Sequence, residues 1–227
     1  MLRNVETYAF SNRQEFLNFI DNKHKILIAI NAEKILKDEA KLKIIINKNI
    51  GYSDGVGAVM ALKQKGLDAV KISGAEFWLD IVRRFYKEKT FYLIGSSQEV
   101  IESTVAKLEN EFQSINILGY RNGYIDHNAE KEELVNILTD KKPDIIFVAQ
   151  GTPRQEYLMD ELIKIHPALY MGLGGSFDIY SGTKKRAPKF FLNWHLEWFY
   201  RLLKEPTRFR RQLVLIKFFI LLKMGRL

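Results

Sequence analysis

The chain has 227 residues, 47% of them hydrophobic, a formal charge of +8 and no cysteine. That is enough to bury the core of one sizeable domain with an appendage, and the lack of cysteine excludes disulfides, thiolate metal sites and a cysteine nucleophile, in keeping with a reducing cytoplasm. The first eleven residues lack the apolar core of a secretory signal, so export is not expected.

From residue 25 onward, short apolar runs alternate with amphipathic stretches. The pattern predicts a strand over 25–30, a helix over 33–42, a strand over 50–53, helices over 56–65 and 75–87, and a strand over 91–94. It continues with a helix over 98–112, a strand over 115–118, a helix over 131–139, a strand over 144–149, a helix over 154–165 and a strand over 169–173. Pro153 is expected at the first helical position of the 154–165 helix, where its missing N–H costs nothing. Alternation of this kind predicts an α/β domain, a Rossmann-like, open and mostly parallel sheet flanked by helices. From about residue 181 the strand signal stops and the chain reads as loop, helix, helix. The division expected is therefore an α/β domain over 1–183 and a helical appendage over 184–227, with no repeat, low-complexity tract or flexible linker.

The appendage carries the charge. It holds twelve Lys and Arg against Glu197 and Glu205, a balance of +10 that leaves residues 1–183 near −2. Within it, residues 213–222 read LeuValLeuIleLysPhePheIleLeuLeu. A membrane span needs roughly 20 mostly apolar residues, and Lys217 and Lys223 interrupt this stretch too soon. A cationic, greasy segment points to a polyanionic partner, a membrane surface or a nucleic acid, and the apolar residues crowded between the charges favour the membrane. The alternative is a C-terminal helix packed on the body with its lysines in solvent. Either way, the near-absence of a polar face over 213–222 predicts apolar cover on several sides.

Ligands of open α/β sheets bind where strands turn into helices at their carboxyl ends. Asn31 follows the first strand, SerAspGlyValGly (53–57) the second, GlySerSer (95–97) the third, GlnGlyThrProArgGlnGlu (150–156) the fifth and GlyLeuGlyGlySerPheAsp (172–178) the sixth. This rim suits a phosphorylated ligand, because backbone N–H groups at helix starts favour anions, while the simpler reading of any single glycine is backbone geometry at a strand-to-helix turn. Neither a third glycine after Gly55 and Gly57 nor a GxxxxGK[ST] loop is present, which argues against dinucleotide and NTPase sites. The four histidines lack metal-ligand spacing and there is no Asp-x-Asp pair, so no metal and no cofactor is expected.

Taken in order, AsnAlaGluLys (31–34), SerAspGlyValGly (53–57), GlyTyrArgAsnGlyTyr (119–124), GlyThrProArgGlnGlu (151–156), GlyGlySerPheAsp (174–178), LysArgAlaPro (185–188) and the 196–211 segment LeuGluTrpPheTyrArgLeuLeuLysGluProThrArgPheArgArg resemble the WecG/TagA/CpsF glycosyltransferases. The resemblance runs from about Asn31 to Arg211. It implies an inverting transfer of a sugar from a nucleotide donor, commonly UDP-linked, to a polyprenyl-diphosphate-linked sugar at the inner face of the cytoplasmic membrane, in teichoic acid, capsule, exopolysaccharide or common-antigen synthesis. The implied location is cytoplasmic and peripheral, and a homo-oligomer is compatible with it.

Inverting transfer needs one base for the acceptor hydroxyl. Asp54 at a strand end is the candidate, and the family places its proposed base at this Asp; the alternative is a helix N-cap for the segment from Val56. The leaving diphosphate needs cations. Arg201, Arg208 and Arg211 are the candidates by resemblance, the alternative being a solvated or lipid-facing cluster. Asn31 and Gln155 have the paired donors and acceptors that would orient sugar or uracil, or they serve as turn and helix-start residues. Gly55, Gly57, Gly95, Gln150, Gly151, Gly174, Gly175 and Arg186 complete the expected binding rim. Three positions depart from the family pattern: Ala29 where Thr is common, Glu76 where Asp is usual and Ser53 where Pro or Ala is more common. The changes fit a donor other than N-acetylmannosamine or its uronic acid. Two other classes remain, a nucleic-acid-binding protein using the basic tail and a non-catalytic membrane-bound scaffold. The first leaves the rim without a task, so no nucleic-acid partner is expected.

Overall fold

The computed structural model describes residues 1–125, 128–185, 188, 190, 191, 200, 202 and 209–227, with side chains among these except at 209–212. In chain order the described elements are α1 (Arg13–Ile20), β1 (Ile26–Ile30), α2 (Ala32–Leu36), α3 (Ala40–Asn47), β2 (Ile50–Ser53), α4 (Val56–Gln64), α5 (Gly74–Phe85), β3 (Thr90–Gly95) and α6 (Gln98–Glu111). They continue with β4 (Asn116–Arg121), α7 (Asn128–Lys141), β5 (Ile145–Ala149), α8 (Arg154–Leu162), β6 (Leu169–Gly172), α9 (Ser176–Tyr180) and α10 (Phe209–Lys223).

The six strands form one all-parallel sheet in the order β2-β1-β6-β5-β3-β4. Its central strands are buried along their whole length, as an α/β sheet covered on both faces requires. Alternate residues feed two cores. Ile26, Ile28, Ile30, Ile146 and Val148 join side chains of α3, α4, α7, α8 and α10 on one face. Leu27, Phe91, Leu93 and Phe147 join α1, α5, α6 and α9 on the other. The chain leaves β3 through α6 on one face and β5 through α8 on the other, so a topological switch point falls between these neighbouring strands.

The strands expected from sequence all appear, that over 50–53 with the same bounds and the others with at least one end moved, by three residues at most. The helix expected over 33–42 is instead two helices, α2 and α3, with Lys37 extended between them. No side chain between Ile35 and Leu42 is fully buried, so no core contact holds a helix through the charged LysAspGlu triplet. Pro153 sits one position earlier than expected, as N-cap of α8. Two helices escaped the periodicity. The α1 helix announces itself by a reciprocal cap, in which Asn12 accepts the Glu15 N–H while Glu15 accepts the N–H and hydroxyl of Ser11. The α9 helix has only five residues, too few to show a period.

Of the appendage, α10 docks on α2 and α4. Phe218 is fully buried and Leu222 nearly so, and the Leu222 carbonyl accepts the Gln64 side-chain N–H. A β-carbon at Gly57, in the first turn of α4, would stand 2.8 Å from the Phe218 ring, so the glycine admits the ring. The opposite side of α10 leaves Leu213, Ile216, Phe219, Ile220 and Met224 exposed, with Lys217 and Lys223 among them. Among the described residues no helix is long and apolar enough to cross a membrane.

Candidate functional site

Parallel pairing brings the ends of β1 and β2 together. The Asp54 N–H donates to the Ile30 carbonyl at 3.0 Å, carrying the ladder one residue past β2. Asp54 Oδ1 then accepts the Gly74 N–H at 2.7 Å, at the start of α5. The helix that follows Asp54 is capped by Gly55 without a side-chain bond. The cap role weighed for Asp54 therefore belongs to a different helix: it ties the end of β2 to α5, not to the segment from Val56. Asn31 lies alongside, with its β-carbon 3.4 Å from where one on Gly55 would stand. It caps α2, its Oδ1 accepting the Lys34 N–H at 3.0 Å, and its NH2 has no partner among the described residues.

A second group gathers at the ends of β5 and β6. Gln155 is buried, and its Oε1 accepts the N–H groups of both Gly151 (3.1 Å) and Gly174 (2.9 Å). Its amide is thus committed to holding two rim loops in register, which argues for a positioning role over direct contact with sugar or base. Next to it, Glu156 Oε1 accepts the Lys34 ammonium at 2.7 Å, the Thr152 hydroxyl at 3.0 Å and the Gln155 amide at 3.3 Å. The Lys34 and Glu156 side chains are 6% and 1% exposed. This pair joins α2 to α8, and through Asn31 and Gln155 it couples the two groups of the rim. Sequence reasoning missed it, because partners 122 residues apart leave no spacing signal.

The third group lies at the β3/β5 switch point. Gly95 has φ +140°, and a β-carbon there would meet the Ala149 carbonyl at 2.4 Å, so only glycine lets the two strand ends close up. The Ser96 carbonyl accepts the Gly123 N–H, the Gln150 side chain donates to the Gly123 carbonyl at 2.7 Å, and the Ser96 hydroxyl donates to Asp178 at 2.9 Å. Asp178 also pairs with Lys184 at 2.9 Å. Tyr124, next to Gly123, is 64% exposed. Gly175 caps α9.

The departures noted in the sequence separate here. Ser53 is buried and donates its hydroxyl to the Val70 carbonyl, an internal role. Glu76 pairs with Arg13, which also reaches Asp80 at 3.0 Å, along a cleft of about 360 Å³ running between α5 and α9. Arg186, Arg201 and Arg208 lie outside the described residues, and Arg211 is described only as backbone within α10.

The rim therefore sets a carboxylate, two loop-holding amides and the starts of α4, α6 and α8 around one edge of the sheet. Helix starts supply N–H groups to an anion while the carboxylate can take a proton. A family model described as the glycosyl transferase WecG/TagA/CpsF family matches residues 4–227, essentially the whole chain.

Proposed function

Since the chain belongs to the glycosyl transferase WecG/TagA/CpsF family, we propose that it moves a sugar from a UDP-linked donor to a polyprenyl-diphosphate-linked sugar at the inner face of the cytoplasmic membrane, in building a bacterial surface polysaccharide. The observation that carries this reading is Asp54, a carboxylate held at the end of β2 by the Gly74 N–H and set beside Asn31. In an inverting displacement Asp54 takes the proton of the acceptor hydroxyl. The oxygen's lone pair forms the bond to the anomeric carbon, and the electrons of the sugar–phosphate bond leave with the nucleoside diphosphate from the opposite face. Arg201, Arg208 and Arg211 are assigned to the departing diphosphate.

The test uses the full chain. Thermal shift against nucleotide sugars and nucleoside diphosphates should raise Tm for a uridine series, because a ligand at about a hundred times its Kd adds about 2.7 kcal/mol to the native state. Radiolabelled sugar should then pass to a polyprenyl-diphosphate acceptor in vesicles. No shift with any nucleotide together with no transfer would overturn the proposal.

Two further outcomes are expected. Without an Asp-x-Asp pair and with arginines in surplus, transfer should persist in excess EDTA; activity that returns only on adding Mg²⁺ or Mn²⁺ would refute metal independence. Replacing Arg208 and Arg211 with Gln should lower transfer about a hundredfold, as loss of charge stabilisation at a leaving group does. Liposome binding should largely survive, because the exposed apolar side of α10 remains. Equal loss of both would mean that the arginines serve only the membrane.

A further inference from the structure

Strand β2 carries a tyrosine whose hydroxyl the fold leaves without a partner. Tyr52 is fully buried, its ring packed against Phe16 and Phe77 at centroid distances of 5.2 and 6.2 Å. Its oxygen makes no hydrogen bond among the described residues. Enclosing an unsatisfied hydroxyl is destabilising, and a phenylalanine would fill the space without that cost. The oxygen points somewhere specific. A β-carbon built on Gly74 would lie 2.7 Å from the Tyr52 hydroxyl, 3.7 Å from Asp54 Oδ1 and 3.9 Å from the Ala29 methyl. Residues 52 and 54 share a side by the two-residue period of the strand, so hydroxyl and carboxylate converge under the first residue of α5. Burial first, then the charges of Asp54 and Glu156, push the phenol well above its ordinary range, so it remains a donor.

We propose that Tyr52 is a positioning residue for Asp54: its buried hydroxyl, together with the Gly74 N–H, holds the carboxylate in place while the acceptor hydroxyl delivers its proton. The proposal rests on Asp54 being the base. A carboxylate accepts several donors at once, the Gly74 N–H among them. The hydrogen bond closes when substrates draw the rim together, as catalytic hydrogen bonds commonly tighten in the complex. Glu156 has one oxygen taken by Lys34, Thr152 and Gln155 and lies outside the group around Gly74, where the phenol hydroxyl and Asp54 Oδ1 are the polar atoms. Asp54 is the carboxylate this geometry sets beside the phenol, and its charge acts on the phenol more strongly than that of Glu156.

The experiment compares Tyr52→Phe with Asp54→Asn in the full chain. Tyr52→Phe should keep or raise Tm, leave KM for donor and acceptor unchanged, and lower kcat about tenfold, the worth of one hydrogen bond to a charged group. The acid limb of its pH–rate profile should move to higher pH, because losing a donor to the ionised form raises the carboxylate's pKa. A purely structural tyrosine would not move that limb. Gly74→Ala should be tolerated better in the Tyr52→Phe background, since the clash at 2.7 Å is with the hydroxyl. Parental kcat and acid limb in Tyr52→Phe, with Asp54→Asn inactive, would overturn the role of Tyr52 and leave Asp54 as base. An active Asp54→Asn would remove the base itself, and this proposal with it.

Discussion

Asp54→Asn is expected to lower sugar transfer by about 10²–10⁴, the range for losing a general base, while the protein stays folded and keeps its affinity for the donor. The geometry makes this a clean substitution. The carboxylate ties β2 to α5 through Oδ1, which accepts the Gly74 N–H, and an asparagine oxygen can accept the same bond. The tie between β2 and α5 therefore survives while the basic oxygen pair is lost. Asp54→Ala would break that tie as well, and its stability should fall by about 1 kcal/mol more than that of the Asn variant, the usual worth of a capping bond. Comparing the two separates the chemical role from the structural one. Near-normal turnover in purified Asp54→Asn would end the assignment of Asp54 as base, leaving it a residue that fastens α5 to the sheet.

The sheet was legible because its strands are short apolar runs between turn residues, and burial on both faces imposes that composition whatever the ligand. The rim was legible for a related reason: in a parallel sheet every strand end lies at the same edge, so Asn31, Asp54, Gly95, Gln150 and Gly174 had to be near one another once the strands were placed. What the sequence concealed were the partners. Asp54 reads as a cap for the helix beside it, yet it caps α5 twenty residues away. Gln155 reads as a ligand contact or a helix-start residue, and nothing local says that its oxygen accepts from Gly151 and Gly174. Tyr52 reads as one more apolar residue of a strand, because nothing local says that its hydroxyl ends unpartnered beneath Gly74. The apolar segment at 213–222 read as needing cover on several sides. Phe218 and Leu222 find it against α2 and α4, while Ile216, Phe219 and Ile220 are left to solvent or to another apolar surface. That docking also sets what truncating the appendage would do: removing α10 exposes the apolar surface that Phe218 covers, so the shortened body should be less soluble than the full chain.

The Lys34–Glu156 pair carries the largest expected effect on stability. Both side chains are almost wholly enclosed, and Glu156 Oε2 is buried with no partner among the described residues, so the carboxylate depends on Lys34, Thr152 and Gln155 acting on its other oxygen. Removing the ammonium with Lys34→Met leaves a buried charge uncompensated, which costs about 3–5 kcal/mol, against a total of about 5–15 kcal/mol for a typical domain. At roughly 2–4 °C per kcal/mol for a chain of this size, Tm should fall by roughly 6–20 °C. The double variant Lys34→Met with Glu156→Leu should recover most of that loss, because two apolar groups of similar volume need no mutual compensation. Recovery of stability need not bring back activity. The Lys34 N–H is held by the Asn31 cap and Glu156 adjoins the amide that clasps Gly151 and Gly174, so the pair sets the spacing between the Asp54 side of the rim and the β5–β6 side. The double variant should therefore melt near the parent yet transfer sugar more slowly, since a displacement of about 1 Å at a reacting centre costs on the order of a hundredfold. Differential scanning calorimetry and transfer assays on the three proteins decide the matter, and a single Lys34→Met variant as stable as the parent would show that the pair holds nothing together.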